Sequence, residues 1–413
     1  MLWRIGLAGV LLVASACGAP TGATAAASPT ARTVVAAPDR VLIEQEDQTQ
    51  IVDVPSGRTV ATLPAGLVAP TSDLVASLTP AGAATRVRAT DLAGATKLDI
   101  TLPGDYRFSN AYGPAPSGFS PNGKWLVLIS RTDQTYPGDP LSRFAVIDVA
   151  GASLATTVEL SSRFTFDAIH NDGSAMYLIE HPQPGATTYN VRLYDLRTKT
   201  LNPNIIFDKA AITQWDPTVG LMDGTFHVSV APKSGDWSYG LYMRPNGKPF
   251  VHALNVPGKY AQCIVDLEGW WSPSSMFSLA LTDDGQKLFV VDAVVGTVSV
   301  IDGLSQKVSR TATFKTTGIP GDPRSASAVV SRDGSRLYAS AARGVAMLNT
   351  ADLTLKAWVT PDVLARSLAL SSDGSRLYAL AGDAIVIVDA ATGRILSQLA
   401  ASKARAIRVL SAR

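Results

Sequence analysis

The stretch GFSPNGK (Gly118–Lys124) carries the G-x-x-x-x-G-K spacing with which a glycine-rich loop and a lysine cradle phosphate. Trp125 stands where a Ser or Thr should bind magnesium, and an apolar strand-like run follows where the motif needs a helix, so the stretch is expected to be a hairpin turn. G-x-S-x-G, G-x-G-x-x-G, C-x-x-C and H-E-x-x-H are absent, which leaves hydrolase, dinucleotide and zinc-protease chemistry without support. The histidines, His170, His181, His227 and His252, show no ligand spacing, so each is expected to pack or to lie at the surface, and no metal or cofactor is implied. A regular set of acids, Asp148, Asp195, Asp302 and Asp389 with Asn349 in the equivalent place, looks like a carboxylate cluster. Its recurrence before small turns points instead to side chains that brace turn backbone.

The elements that carry these residues repeat. SPNGKWLVLIS (from Ser120), HNDGSAMYLIE (from His170), TDDGQKLFVVD (from Thr282), SRDGSRLYASA (from Ser331) and SSDGSRLYALA (from Ser371) share one grammar. An apolar strand leads to an Asx-Gly turn, two further apolar strands follow, the second ending in Asp or Asn, and a fourth strand closes the unit. Asx-Gly between apolar runs is a strong hairpin signal because tight hairpin turns require positive φ. Runs such as AIVIVD (Ala384–Asp389) are apolar on both faces, as strands covered by neighbouring sheets must be. The turn glycines fall at Gly123, Gly173, Gly285, Gly334 and Gly374, with one diverged unit expected at Gly224. A chain of 413 residues, 46% hydrophobic and 17% charged, can bury the core such units need. A net charge of +2 with no basic stripe argues against nucleic-acid partners.

Residues 1–17 read as an address. A start with one positive charge, an apolar run from Ile5 to Ala16 and then Cys17 suit a signal peptide, since twelve residues reach about 18 Å as a helix, short of the ~30 Å membrane core. VASAC (Val13–Cys17) resembles a bacterial lipobox, which implies lipidation at Cys17; Ala14 stands where Leu is usual, and ordinary secretion with cleavage nearby stays open. Residues 18–39, rich in Ala, Pro and Thr, are expected to be a flexible tether with a reach of roughly 25 Å, followed by a single domain over residues 40–413. Cys263 is the only other cysteine, so no disulfide is expected once Cys17 is lipidated or removed.

DGSRLYALAGDAIVIVDAATGRI (from Asp373) resembles the YVTN-type β-propeller repeat, and SPNGKWLVLIS is similar to the WD40-like repeat of TolB-type periplasmic proteins, over residues 116–400. The resemblance implies an all-β fold, a β-propeller of seven or eight four-stranded blades. RAIRVLSA (Arg405–Ala412) is a lone strand and the first unit has three, so the C-terminal strand is expected to pair with the N-terminal blade and close the ring. Propellers of this kind are mostly extracytoplasmic binding platforms, with a minority of lactonases and quinoprotein dehydrogenase subunits.

Against the terse repeat some connections are swollen: residues 131–143, 181–189 and 232–240 as second-to-third-strand loops, and 103–117, 257–275 and 317–325 as crossovers, all expected on one face. They hold Tyr106, Tyr112, Tyr136, His181, Trp237, Tyr239, Trp270 and Trp271, the candidate residues for binding an envelope protein, a glycan or a small ligand. The expectation is an exported, lipid-anchored binding or scaffold module, facing the periplasm or the cell exterior and attached to the membrane only through its N-terminal lipid. A propeller enzyme is the alternative.

Overall fold

In the turn Ser331–Gly334 the Gly334 N–H donates to the Ser331 carbonyl at 2.8 Å, and the Ser331 hydroxyl donates to Asp333 at 2.6 Å. Gly334 sits at φ +69°, where a side chain would be strained. The same brace recurs at Ser371–Gly374, at Thr282–Gly285 and, with Asn122 in place of Asp, at Ser120–Gly123, so the phosphate-loop-like stretch is a hairpin turn. The acids that end each third strand also brace backbone: Asp195, Asp302 and Asp389 accept from the N–H groups two and three residues on, and Asp148 and Asn349 do the same once each.

The computed structural model describes residues 39–109, 118–130, 141–183, 186–206, 222–268, 276–316, 326–361 and 365–410. Among them there is no helix, and the strands form eight antiparallel four-stranded sheets, one of which gains a short fifth strand, Met222–Asp223. Blade 1 joins Arg40–Gln45, Gln48–Asp53 and Arg58–Pro64 to the C-terminal strand Ala404–Leu410. Blade 2 covers residues 67–103, blade 3 residues 106–160, blade 4 residues 163–206, blade 5 residues 225–266, blade 6 residues 277–313, blade 7 residues 328–361 and blade 8 residues 365–400. In blades 2 to 8 the first strand is innermost; in blade 1 Ala404–Leu410 takes that place, antiparallel to Arg40–Gln45 with Arg40 opposite Leu410. Eight apolar clusters fill the eight gaps between neighbouring blades, including blade 8 against blade 1 through Tyr378, Ile385, Val41 and Ile407. The ring is therefore a closed β-propeller of eight blades.

Three boundaries differ from those expected. The hidden turn of blade 5 lies at Gly235, at φ +73° with its N–H on the Pro232 carbonyl at 2.9 Å, and not at Gly224; Ser-Gly in place of Asx-Gly conceals it. Residues 232–240 consequently form the first-to-second turn and the start of the second strand, Trp237–Met243, at the opposite end of the blade from the swollen loops. The second-to-third connection of this blade is a tight turn closed by Gly247 on Arg244. Parts of the supposed crossovers are strands as well: Tyr106–Phe108 pairs with Trp125–Ser130 as the inner strand of blade 3, and Tyr260–Asp266 is the outer strand of blade 5. Asp39, placed in the tether by composition, is buried and belongs to the ring.

Four residues beyond the turn glycine stands a buried tyrosine in blades 4, 5, 7 and 8, and its hydroxyl reaches the outer turn of the next blade. Tyr177 donates to the Val256 carbonyl, Tyr338 to the Ala390 carbonyl, and Tyr239 accepts from Gln306 Nε2 at 3.1 Å. At the seam Tyr378 donates to Asp39 at 2.6 Å, and Asp39 also accepts from the Ser372 hydroxyl at 3.0 Å. Tyr378→Phe leaves the buried Asp39 short of a donor. It is expected to cost about 1–2 kcal/mol, read as a lower melting midpoint; an unchanged midpoint would remove the clamp from the account of stability.

Candidate functional site

The inner strands of blades 4 and 5 depart from the flat ladder. Each carries a bulge, with Asp167 as the extra residue between Phe166 and Ala168 and His227 as the extra residue between Phe226 and Val228. A bulge re-aims the side chain it inserts, and bulges gather next to functional sites. Beside this pair of bulges lies a cavity of about 630 Å³, walled by residues 165–169 of blade 4 and by residues 225–226 and 229–231 of blade 5. Tyr242 and Val256 of blade 5 and Phe119 and Pro121 of blade 3 also line it.

The aromatic side chains between these two blades are stacked. Tyr189 lies on Tyr242 at 4.8 Å between ring centres, Tyr242 lies on Phe250 at 5.4 Å, and Phe226 meets Tyr242 edge-on at 5.5 Å. The Arg244 guanidinium covers the Phe250 ring at 4.4 Å and pairs with Asp266 at 2.7 Å. Gly224 keeps this arrangement possible, because a Cβ there would stand 2.8 Å from the Phe250 ring. Rings locked in this way cannot swing to fill the neighbouring space.

The turns at one end of the cavity are tied together. Asn122 of blade 3 donates its N–H and its side-chain amide to Asn171 of blade 4, at 3.0 and 2.9 Å, and Asn171 donates to the Ser234 carbonyl of blade 5 at 2.8 Å. Three blades therefore hold that rim as one piece.

Asp167 is the carboxylate of the cavity. No hydrogen-bond donor reaches it among the described residues, and burial pushes its carboxyl up to about 7. The hydroxyls of Tyr177, Tyr189 and Tyr242 are all raised, by burial first and by the Asp167 charge as well. Burial likewise lowers His181 and His227, and takes His252 down to about 4, so these imidazoles are neutral at pH 7.

Of the residues expected to form a site, His181 and Trp237 line this cavity, from opposite ends of the blades: His181 closes the second strand of blade 4, and Trp237 opens the second strand of blade 5. Trp237 stacks on Tyr239 at 6.0 Å and meets Tyr260 edge-on at 6.3 Å. Tyr239 is buried in the clamp to blade 6, and Tyr106 is buried between blades 2 and 3, its N–H donating to Thr85 Oγ1 at 2.9 Å. Cys17, Tyr112, Tyr136, Trp270 and Trp271 lie outside the described residues. Asp167 was missed, although FTFDAI (Phe164–Ile169) shows it as an acid inside an inner strand whose counterparts in blades 6 and 8, FSLAL and ARSLAL, carry no acid.

No family model matches the chain, and no curated protein matches it. Solved structures do. The dihydro-heme d1 dehydrogenase NirN in complex with DHE aligns with a TM-score of 0.57 at 14% identity, covering 89% of this chain and 74% of its own. Apo AztD from Citrobacter koseri aligns with the same score and identity over 90% of this chain and 98% of its own. The likeness is one of fold. At this identity it extends to the propeller and to nothing chemical.

Because the Asp167 carboxyl is raised from 3.8 to about 7 in the folded chain, the folded state holds a proton there that the unfolded state releases. Stability contributed by that proton is present below about pH 4 and is lost as the pH climbs to 7. Asp167→Asn should abolish this loss and stabilise the chain above pH 7 by on the order of 2 kcal/mol, less than the full shift implies because Asp167 is only half-buried. Melting midpoints of parent and variant at pH 4 and pH 8 check it: the gap should open only at the higher pH.

Proposed function

We propose that the chain is an exported, lipid-tethered binding propeller of the YVTN and WD40-like repeat type that holds a small organic ligand in the cavity between blades 4 and 5. The observation that carries the reading is the cavity itself. Its volume falls within the ~300–1,000 Å³ typical of small-ligand sites, its surface is more apolar than polar, and beside hydroxyls such as those of Thr165, Thr225, Ser229 and Ser238 it offers one carboxylate, Asp167. The inner and second strands of blades 4 and 5 supply just over half of its lining, so much of the cavity is preformed. The neighbours with this fold include an enzyme that carries DHE and a protein solved in its apo form, which suits a scaffold able to hold small molecules.

The swollen connections remain the surface for an envelope protein or glycan partner in this reading, and His181 and Thr187 belong to the cavity lining. Export and anchoring rest on the apolar run and the lipobox-like VASAC ending at Cys17. Cys17→Ser is expected to move the protein from the membrane pellet to the soluble fraction of the exporting cell; retention in the pellet would overturn the lipid anchor.

Ligand holding is tested by native mass spectrometry of the chain purified from its own envelope. A bound small molecule is expected and should be missing from Ala168→Trp, which fills the cavity while circular dichroism stays that of the parent. A parent chain without any bound mass, and without thermal shift on exposure to the envelope extract, would overturn it.

A further inference from the structure

Among the cavity's carboxylic, hydroxyl and aromatic groups the charge chemistry is lopsided. Asp167 is its one carboxylate, has no donor among the described residues, and is set by a bulge in a wall that also presents Thr165, Phe166, Ala168, Thr225 and Phe226. A half-buried carboxylate with no donor is under-solvated, and the group that would relieve it is a cation or a strong hydrogen-bond donor. The titratable groups of the surrounding strands make no ion pair or hydrogen bond with it among the described residues. Tyr177 and Tyr189 belong to its own blade and Tyr242 to blade 5; Tyr177 already donates to the Val256 carbonyl. Arg244 is engaged by Asp266 and the Phe250 ring, and His227 turns edge-on to Phe277 of blade 6. His252 lies against Tyr242 and is neutral. His181 and Lys233 sit at opposite ends of the cavity, and Lys233 is exposed, where water screens it. Aromatic rings on the walls, Phe226 and Trp237, add the negative π-faces that attract cations and stack on flat apolar bodies.

Building on the ligand-holding role, we infer that the cavity selects organic monocations, an ammonium or amidinium carried on a flat apolar body, with the cationic head on Asp167 and the body along the aromatic wall. A neutral ligand of the same shape fits the space but leaves the carboxylate unrelieved. An organic anion meets repulsion from Asp167. A cation also holds Asp167 ionised, so binding releases a proton near neutral pH and weakens as the medium is acidified through the range in which the free carboxyl is protonated.

The test uses the full chain and three probes of one shape, benzylammonium, benzyl alcohol and phenylacetate, titrated by calorimetry and by Trp fluorescence at pH 8 and pH 5.5. Expected is at least a tenfold preference for benzylammonium over benzyl alcohol at pH 8, no binding of phenylacetate, and a fall of at least tenfold in benzylammonium affinity at pH 5.5 while benzyl alcohol is unmoved. Asp167→Asn should erase the preference and leave benzyl alcohol binding in place. Equal binding of benzylammonium and benzyl alcohol, or a preference that survives in Asp167→Asn, overturns the cation selectivity and leaves the ligand-holding cavity standing. Binding of no probe, together with no native ligand by mass spectrometry, overturns both. The pH series on the parent chain decides the matter even where the variant folds poorly.

Discussion

Every blade of this ring is apolar on both faces, and that constraint governs the rest. A single four-stranded sheet of such composition has no stable form in water, because each face needs a neighbour. Eight gaps filled by eight apolar clusters satisfy all of them at once, but only if the last blade meets the first. The C-terminal strand completes blade 1 and removes its open edge, and the Tyr378 hydroxyl on Asp39 adds a polar lock at the seam. In blades 4 and 7 the corresponding tyrosine bonds to backbone, which any sequence supplies; at the seam it bonds to a side chain.

The same requirement shapes the cavity. Among the described residues, every gap but the one between blades 1 and 2 has aromatic rings among its aliphatic side chains, and the gaps on either side of blade 4 are the richest in them. Between blades 4 and 5 the rings are Tyr177, Tyr189, Tyr242 and Phe250, the last three stacked in sequence. The stacked rings hold fixed places between the two sheets, and the inner strands on either side of them both bulge. The cavity lies beside those bulges, with Tyr242 in its lining.

Much of the architecture was legible in the sequence because its signals are local. Asx-Gly turns, double-faced strands and the three-strand first unit announce the blades and the ring closure, and the structure chooses eight over seven. What was not legible depended on register or on distance. Gly235 follows Ser rather than Asx, so blade 5 was read with its turn near Gly224, and Trp237 and Tyr239 were carried to the wrong end of the blade. Tyr239 is half of an inter-blade clamp whose period, four residues past the turn glycine, is visible in the repeat alignment but gains meaning only when the neighbouring blade is in place. Of the candidate aromatics, those on described strands proved to be packed or half-packed, whereas the residue that gives the cavity its polarity, Asp167, carries no motif at all.

Asp167 is the exception to a rule that the other repeat acids obey. Asp195, Asp302 and Asp389 sit at exposed turns, where backbone N–H groups hold each carboxyl below the usual range, and Asp333 and Asp373 are held at about 2 by serine hydroxyls first and backbone after. Their charge is matched where it stands. Asp167 has the opposite setting, a carboxyl raised by burial with no donor among the described residues, on an inner strand whose counterparts in blades 6 and 8 are built without acids. An acid in such a place weakens the fold at neutral pH, and an asparagine or an alanine would serve the propeller better. Repeats tolerate a local violation of this kind when the site has work that the scaffold does not need, and here the violation lies in the wall of the cavity. The unmatched carboxylate is therefore better understood as half of an interaction whose other half arrives from solution.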